Sequence, residues 1–301
     1  MIDAPLLEVN DESDPKEKQS AARKTTIVSA VVNSVLSAAQ VVTGLLAGSQ
    51  GLVADGIHSL SDLLADFVVL IANHHSHKEA DEDHQYGHHR YETGASLFLG
   101  LSLLVVGLGM VWSAAGKVIS PSASQVQVTA LYAALAALLV KETLFRYMLA
   151  TAKRVRSSML VANAWHARSD AASSLVVAVG IIGALAGYPV LDTIGALVVG
   201  LLVTKAGWGF SWDALHDLMD RAVSAEEHER IRELIGATDG VLGCHDLRTR
   251  KMGDLIVVDA HILVDATIPV EQGHAIAVAA RQRVLQRHRV LNLMTHVDPA
   301  R

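Results

Sequence analysis

The chain has 301 residues, 51% of them hydrophobic, and a formal net charge of −6. That balance leaves no basic face for nucleic acid and no Lys/Arg block of the kind that anchors to anionic lipid. Cys244 is the only cysteine, which excludes an intrachain disulfide framework.

The first 24 residues are polar and acidic, without an apolar core, and read as a cytoplasmic tail with no cleavable signal peptide. Six apolar stretches follow, at roughly 25–48, 52–73, 95–119, 126–150, 159–186 and 190–212. Each is near the ~20 residues that a helix needs to cross ~30 Å of hydrocarbon. Aromatics supply only 4% of the chain, so Ala, Val, Leu, Gly and Ser carry the apolar length. Such small residues let helices pack closely in a bilayer. The breaks "AGSQG", "SPSASQ" and "GYPVLD" are turn signals and hold few charges. Lys16, Lys18, Arg23, Lys24, Lys78, Arg90, Lys153, Arg154 and Arg156 fall in the other connections, with Lys117 the main exception. This bias predicts that both termini are cytoplasmic, which an even number of spans also requires.

From about Trp212 the composition changes. "SAEEHERIRELIGATDG" has helical spacing, with Ile231, Leu234 and Ile235 on one face. "HDLRTRKMGD" and "DLIVVDAHILVD" alternate as two strands joined at Gly253-Asp254, "PVEQGHAIAVAARQRVLQRH" is an amphipathic helix opened by a proline, and "VLNLMTHVD" is a third strand. The expected architecture is an α-helical membrane protein: a six-helix transmembrane bundle followed by a small cytoplasmic α+β domain of ferredoxin-like αββαβ order. The expected domains are a tail at 1–24, the transmembrane domain at 25–212 and a cytoplasmic metal-binding dimerisation domain at 213–301.

Two pentapeptides stand out. His58-Ser-Leu-Ser-Asp62 lies in the second span and His166-Ala-Arg-Ser-Asp170 in the fifth. Residues at i and i+4 share a helix face. The second span is expected to run inward and the fifth outward, so a rise of ~1.5 Å per residue puts both pairs near mid-membrane. An aspartate there costs on the order of 2.5–3.5 kcal/mol, which calls for a compensating partner. Two imidazoles and two carboxylates make a complete tetrahedral set for Zn²⁺. Four protein ligands leave no position for an activated water, so binding without hydrolysis is expected, and no HExxH motif is present. Protons compete for the same groups, which suits metal/proton exchange. Arg168, two residues from each partner, is expected on another face. Asp55 and Asp66 extend the His58/Asp62 face and are expected to line aqueous vestibules or solvated helix ends, while Asn33 and Gln40 are expected to make interhelical hydrogen bonds.

Four segments, "LVADGIHSLSD", "HQYGHHRYE", "WHARSD" and "THVDP", in this order and separated by six spans, resemble the cation diffusion facilitator family of divalent-metal/proton antiporters. The similarity covers nearly the whole chain after the tail and is nearest to the bacterial zinc and iron efflux branch. That branch often has Asp at the position of His58, and the two-histidine form is commoner in zinc- or cobalt-selective members, which counts against cadmium and iron more than against zinc. The resemblance implies His58, Asp62, His166 and Asp170 as the transport site. It implies Asp81, His84 and His88 as a loop site, and His245, His261, His274, His296 and Asp298 as a cytoplasmic cluster that bridges protomers. It pairs Arg90 with Asp220 at the inner face. His74, His75, His77 and His89 read as dispersed metal attractors.

The function expected is efflux of Zn²⁺ across the bacterial inner membrane against inward protons, by a homodimer in the lipid bilayer without organic cofactor or nucleic acid. Zn²⁺ is expected both as transported substrate and as structural ion. Co²⁺, Fe²⁺, Mn²⁺ or Cd²⁺ as main substrate is the alternative within transport. A non-transporting metal sensor or scaffold is the alternative class, and an enzyme is not expected.

Overall fold

In the computed structural model, the described residues are 15–76, 78–119, 126–155 and 158–300. The side chains of Asp66 and His166 lie outside the described set, and so does His77. Six long helices come first: α1 (Pro15–Ala47), α2 (Gln50–Ser76), α3 (Arg90–Ile119), α4 (Val128–Arg154), α5 (Ser158–Leu185) and α6 (Val190–Leu218). Helix α7 (Ala225–Gly236), strands β1 (Gly243–Met252) and β2 (Leu255–Asp265), helix α8 (Val270–Arg287) and strand β3 (Val290–Ala300) follow. The helices overrun the apolar stretches: α1 begins inside the segment read as a tail, and α6 continues past Trp212. Composition marks the hydrocarbon-length core of a helix, whereas backbone hydrogen bonding carries it on into polar residues.

Among the described residues, four stretches are long and apolar enough to cross a membrane: Arg23–Ala47, Arg90–Ile119, Val128–Arg154 and Val190–Leu218. Helices α2 and α5, of 27 and 28 residues, match them in length and carry the polar pentapeptides.

The chain divides into two compact units. The first comprises residues 1–66 and 102–207. Its core is built largely from small side chains, among them Ala54, Ala114, Ala130, Ala134, Ala178 and Ala196, with Leu52, Ile181, Val199 and Val203. In this unit α4 packs against α5 and α1. Gly107 shows why small residues are needed: a Cβ there would lie 2.6 Å from the Thr204 backbone nitrogen. Val31, Leu45, Val105, Trp112, Leu139 and Val179 project outward and are exposed. An outward apolar shell around a small-residue core is what a bilayer selects.

The second unit comprises residues 67–101 and 208–301. Its sheet has the order β1-β2-β3, with β1 antiparallel and β3 parallel to the central strand. Val258, Ala260, Ile262 and Val264 of β2 are buried on one face against Ile231 and Ile235 of α7 and Ala277 and Val284 of α8. Both helices therefore cover the same face, and the αββαβ order holds. Ser224 caps α7 by accepting from the Glu227 N–H at 3.2 Å.

Candidate metal centres

On α2, His58 and Asp62 stand on one face as their spacing requires, with His58 Nδ1 3.4 Å from Asp62 Oδ2. Asp170 of α5 reaches the same place: single donor atoms of His58, Asp62 and Asp170 all lie within 4.8 Å of one another. His58 Nδ1 is buried and makes no hydrogen bond, with the Asp62 carboxylate as its near neighbour. A buried imidazole nitrogen beside two carboxylates is a donor set that could hold a metal ion. His166 sits on α5 one turn before Asp170, with its side chain outside the described set. A small cavity lined by Asn33, Ser59, Asp62, Lys141, Leu144, Ala167 and Asp170 opens beside these groups.

Arg168 does not neutralise the carboxylates. Its guanidinium lies over the Phe145 ring at 4.8 Å and the Trp165 ring at 5.2 Å. The expectation for Asp55 is corrected: it lines no vestibule and is 1% exposed. The Lys141 ammonium stands 3.3 Å from Asp55 Oδ1 and donates to Ser174 Oγ at 2.6 Å. Ser174 Oγ lies 2.7 Å from Asp55 Oδ2, and Gln40 Nε2 donates to that same oxygen. Gln40 thus makes the interhelical bond expected of it, whereas Asn33 donates to Ser29 within α1 at 3.3 Å. Lys141 was the missed residue, and its signal is a lone lysine midway along the apolar run of α4.

The loop between α2 and α3 holds a second group. Asp81 Oδ1 is 3.2 Å from His84 Nδ1, and Asp81 Oδ2 is 3.2 Å from His88 Nε2. His88 is buried and its Nδ1 lies 3.1 Å from the Glu79 carbonyl. That bond fixes the tautomer and leaves Nε2 as the free lone pair. The His84 backbone N–H, at 2.7 Å, is the main cause holding the Asp81 carboxyl below its ordinary range. His75 turns elsewhere, stacking on Tyr91. Close by, Arg90 donates to Asp220 at 2.6 Å and to the Leu218 carbonyl at 3.2 Å.

The third group lies on the sheet face away from α7 and α8. Strand register places His261 opposite His245 on β1 and opposite His296 on β3. Asp298 joins all three: its carboxylate is 2.9 Å from His261 Nδ1, 3.3 Å from His245 Nε2 and 3.3 Å from His296 Nε2. The hydrogen bond from His261, with the neighbouring imidazoles, holds the Asp298 carboxyl below its ordinary range. Three imidazoles around one carboxylate fit Zn²⁺ by donor type and number. Asp246, which the sequence reading passed over, stands 3.3 Å from His245 Nδ1. It sits at a break in register after His245 with φ 46°, so strand alternation does not locate it. His274 joins none of the groups found among the described residues. It is the fifth residue of α8, which covers the opposite face of the sheet, and it is exposed there.

A bundle of long apolar helices with a small α+β domain after it defines a membrane protein with an appended sheet module. Residues 26–219 match the cation efflux transmembrane domain and residues 223–300 the cation efflux protein cytoplasmic domain. The chain belongs to the cation diffusion facilitator family. It is 34% identical over 281 residues to metal tolerance protein C1 of Arabidopsis thaliana, covering 88% of this chain and 60% of that one. It is 32% identical over 275 residues to the uncharacterized transporter MJ0449 of Methanocaldococcus jannaschii, covering 91% and 97%. It is 32% identical over 273 residues to the manganese efflux system protein MneS of Bacillus subtilis, covering 91% and 94%.

Proposed function

We propose that the protein exports a divalent metal cation from the cytoplasm in exchange for protons, with Zn²⁺ as the main substrate. The observation that carries this reading is the approach of His58, Asp62 and Asp170 within 4.8 Å, from two helices of the membrane-spanning unit. With His166, one turn before Asp170 in the sequence of α5, assigned as the fourth ligand, the set has two nitrogens and two oxygens, the composition that suits Zn²⁺. Two carboxylates neutralise a dication, and protons replace it on the same atoms, so binding and release are linked to pH on each side. The three-imidazole cluster around Asp298 and the Asp81–His84–His88 group hold further ions in the cytoplasm, the former as a structural ion at a homodimer contact. In this reading residues 1–24 are a cytoplasmic tail, 25–212 the transmembrane domain and 213–301 the cytoplasmic domain, with both termini inside a bacterial inner membrane.

Mn²⁺ is the second substrate considered, because one 32% identical relative is named a manganese efflux protein. Carboxylates suit Mn²⁺ and imidazoles suit Zn²⁺, so the two histidines favour zinc. The test is flux in proteoliposomes with an imposed pH gradient. Asp62→Ala and Asp170→Ala should each abolish proton-coupled Zn²⁺ uptake by folded protein, and undiminished flux in either would remove the site. Competition by Mn²⁺ at equal concentration should leave Zn²⁺ flux mostly intact.

A further inference from the structure

Lys141 is one of the few cations held inside the membrane-spanning unit, with only 3% of its surface exposed. A lysine there needs a reason. Its obvious partner is Asp55, at 3.3 Å. Asp55, however, has other donors. Gln40 Nε2 bonds one of its oxygens, and the Ser174 hydroxyl lies 2.7 Å from that oxygen. With these donors in place, the hydrogen bonding of Asp55 does not rest on the lysine alone.

The lysine also faces the metal site. It lines the same small cavity as Asp62 and Asp170. Ser59 lines that cavity too, and its Oγ is buried without a hydrogen-bond partner. An ammonium turning from Asp55 into the cavity would meet two carboxylates and one open hydroxyl acceptor. Between departure of the dication and arrival of the protons that replace it, the two carboxylates lack a counter-charge in surroundings of low dielectric.

We propose that Lys141 is a tethered cation that competes with the transported metal: held by Asp55 while the metal is bound, it swings toward Asp62 and Asp170 as the metal leaves. This rests on the transport-site assignment above. Lys141 is then a positioning and affinity-setting residue that is no metal ligand. It weakens binding enough for release and supplies a counter-charge to the emptied site.

The competition predicts opposite effects from two near-isosteric changes. Asp55→Asn removes the charge that holds the ammonium back, so Lys141 spends more time at the site. Zn²⁺ dissociation constants for the membrane site should rise about tenfold or more. Adding Lys141→Gln removes the competitor, and the D55N/K141Q protein should bind about tenfold tighter than the unaltered chain, with a lower kcat because release slows. A lysine acting only as a packing strut would weaken binding in both variants alike.

The measurement is Zn²⁺ equilibrium binding to the full-length protein in detergent, with Asp62→Ala as the blank for the membrane site, and flux in proteoliposomes alongside. D55N within twofold of the unaltered protein, or D55N/K141Q no tighter than D55N, overturns the proposal. If the Asp55 variants do not fold, Ser59→Ala serves instead. Loss of the open acceptor should tighten Zn²⁺ binding by about threefold, and unchanged or weaker binding overturns the idea. Should Asp62→Ala bind Zn²⁺ like the unaltered protein, the transport-site reading itself fails. A blank that works with flat Lys141 variants refutes the tethered cation alone.

Discussion

Lys141 and Asp55, 86 positions apart in sequence, form a buried ion pair with side chains 4% and 1% exposed. Pairs of this kind are costly to break from one side, because the remaining charge is stranded in a poor solvent. Lys141→Met alone should therefore lower stability, by less than the ~3–5 kcal/mol of a carboxylate left with no donor, since Gln40 and Ser174 still serve Asp55. Coupling Lys141→Met to Asp55→Asn should recover most of that loss, since neither charge is then left behind. Thermal unfolding of the purified protein in detergent, run as a double-mutant cycle, measures the coupling. Additive losses would mean that the two side chains do not share an electrostatic interaction.

The start of α2 depends on a carboxylate from another helix. Asp192 of α6 accepts from Ser49 Oγ at 2.6 Å and from the Gln50 and Gly51 backbone N–H groups at 2.6 Å and 3.3 Å. Asp192 is buried, so these bonds are shielded from water. A negative group at a helix N-terminus satisfies otherwise orphaned N–H groups and opposes the helix dipole. Asp192→Ala should cost about 1.5–3 kcal/mol, the range for hydrogen bonds to a charged group. Asp192→Asn should cost less, since it keeps one acceptor. Equal melting temperatures for Asp192→Ala and the unaltered protein would show that another group takes over the cap.

These two interactions show where sequence reading stopped. The shared face of His58 and Asp62 is legible because helical spacing is local, whereas the approach of Asp170 from another helix is not. Arg168 was also placed on another face by spacing alone, and it stands over Phe145 and Trp165. The αββαβ order followed from alternation and turn residues. Asp55 was misjudged because its partner lies on a distant helix, and nothing near residue 55 announces Lys141. Asp192 read only as part of a turn, for the same reason. Asp246 escaped because a bulge interrupts the period-2 rule that located His261. His274 was carried over by family resemblance, whereas α8 lies on the sheet face opposite the other histidines.

The cytoplasmic cluster carries a pH dependence whose sign is set by Asp298. Its carboxyl is held below the ordinary value of 3.8, chiefly by the hydrogen bond from His261. A depressed carboxyl contributes stability that is fully present above 3.8 and lost only as pH falls through the lower folded-state value. Above 3.8 Asp298 therefore stays ionised, so any loss of metal at higher pH does not come from protonation of this carboxyl. Metal bound among His245, His261 and His296 should accordingly begin to leave on acidification before the carboxyl itself is protonated, displaced by protons on nitrogen. Asp298→Asn removes the charge of the carboxylate whose two oxygens meet the three rings, Oδ2 toward His261 and His245 and Oδ1 toward His296, and should weaken this site on the order of 10–100-fold. The check is Zn²⁺ stoichiometry of the full chain after dialysis at stepped pH, with Asp62→Ala as background to silence the membrane site. Retention of the cytoplasmic ion by Asp298→Asn at pH 7 would remove Asp298 from the ligand set, and loss beginning only near pH 4 would assign the transition to the carboxylate.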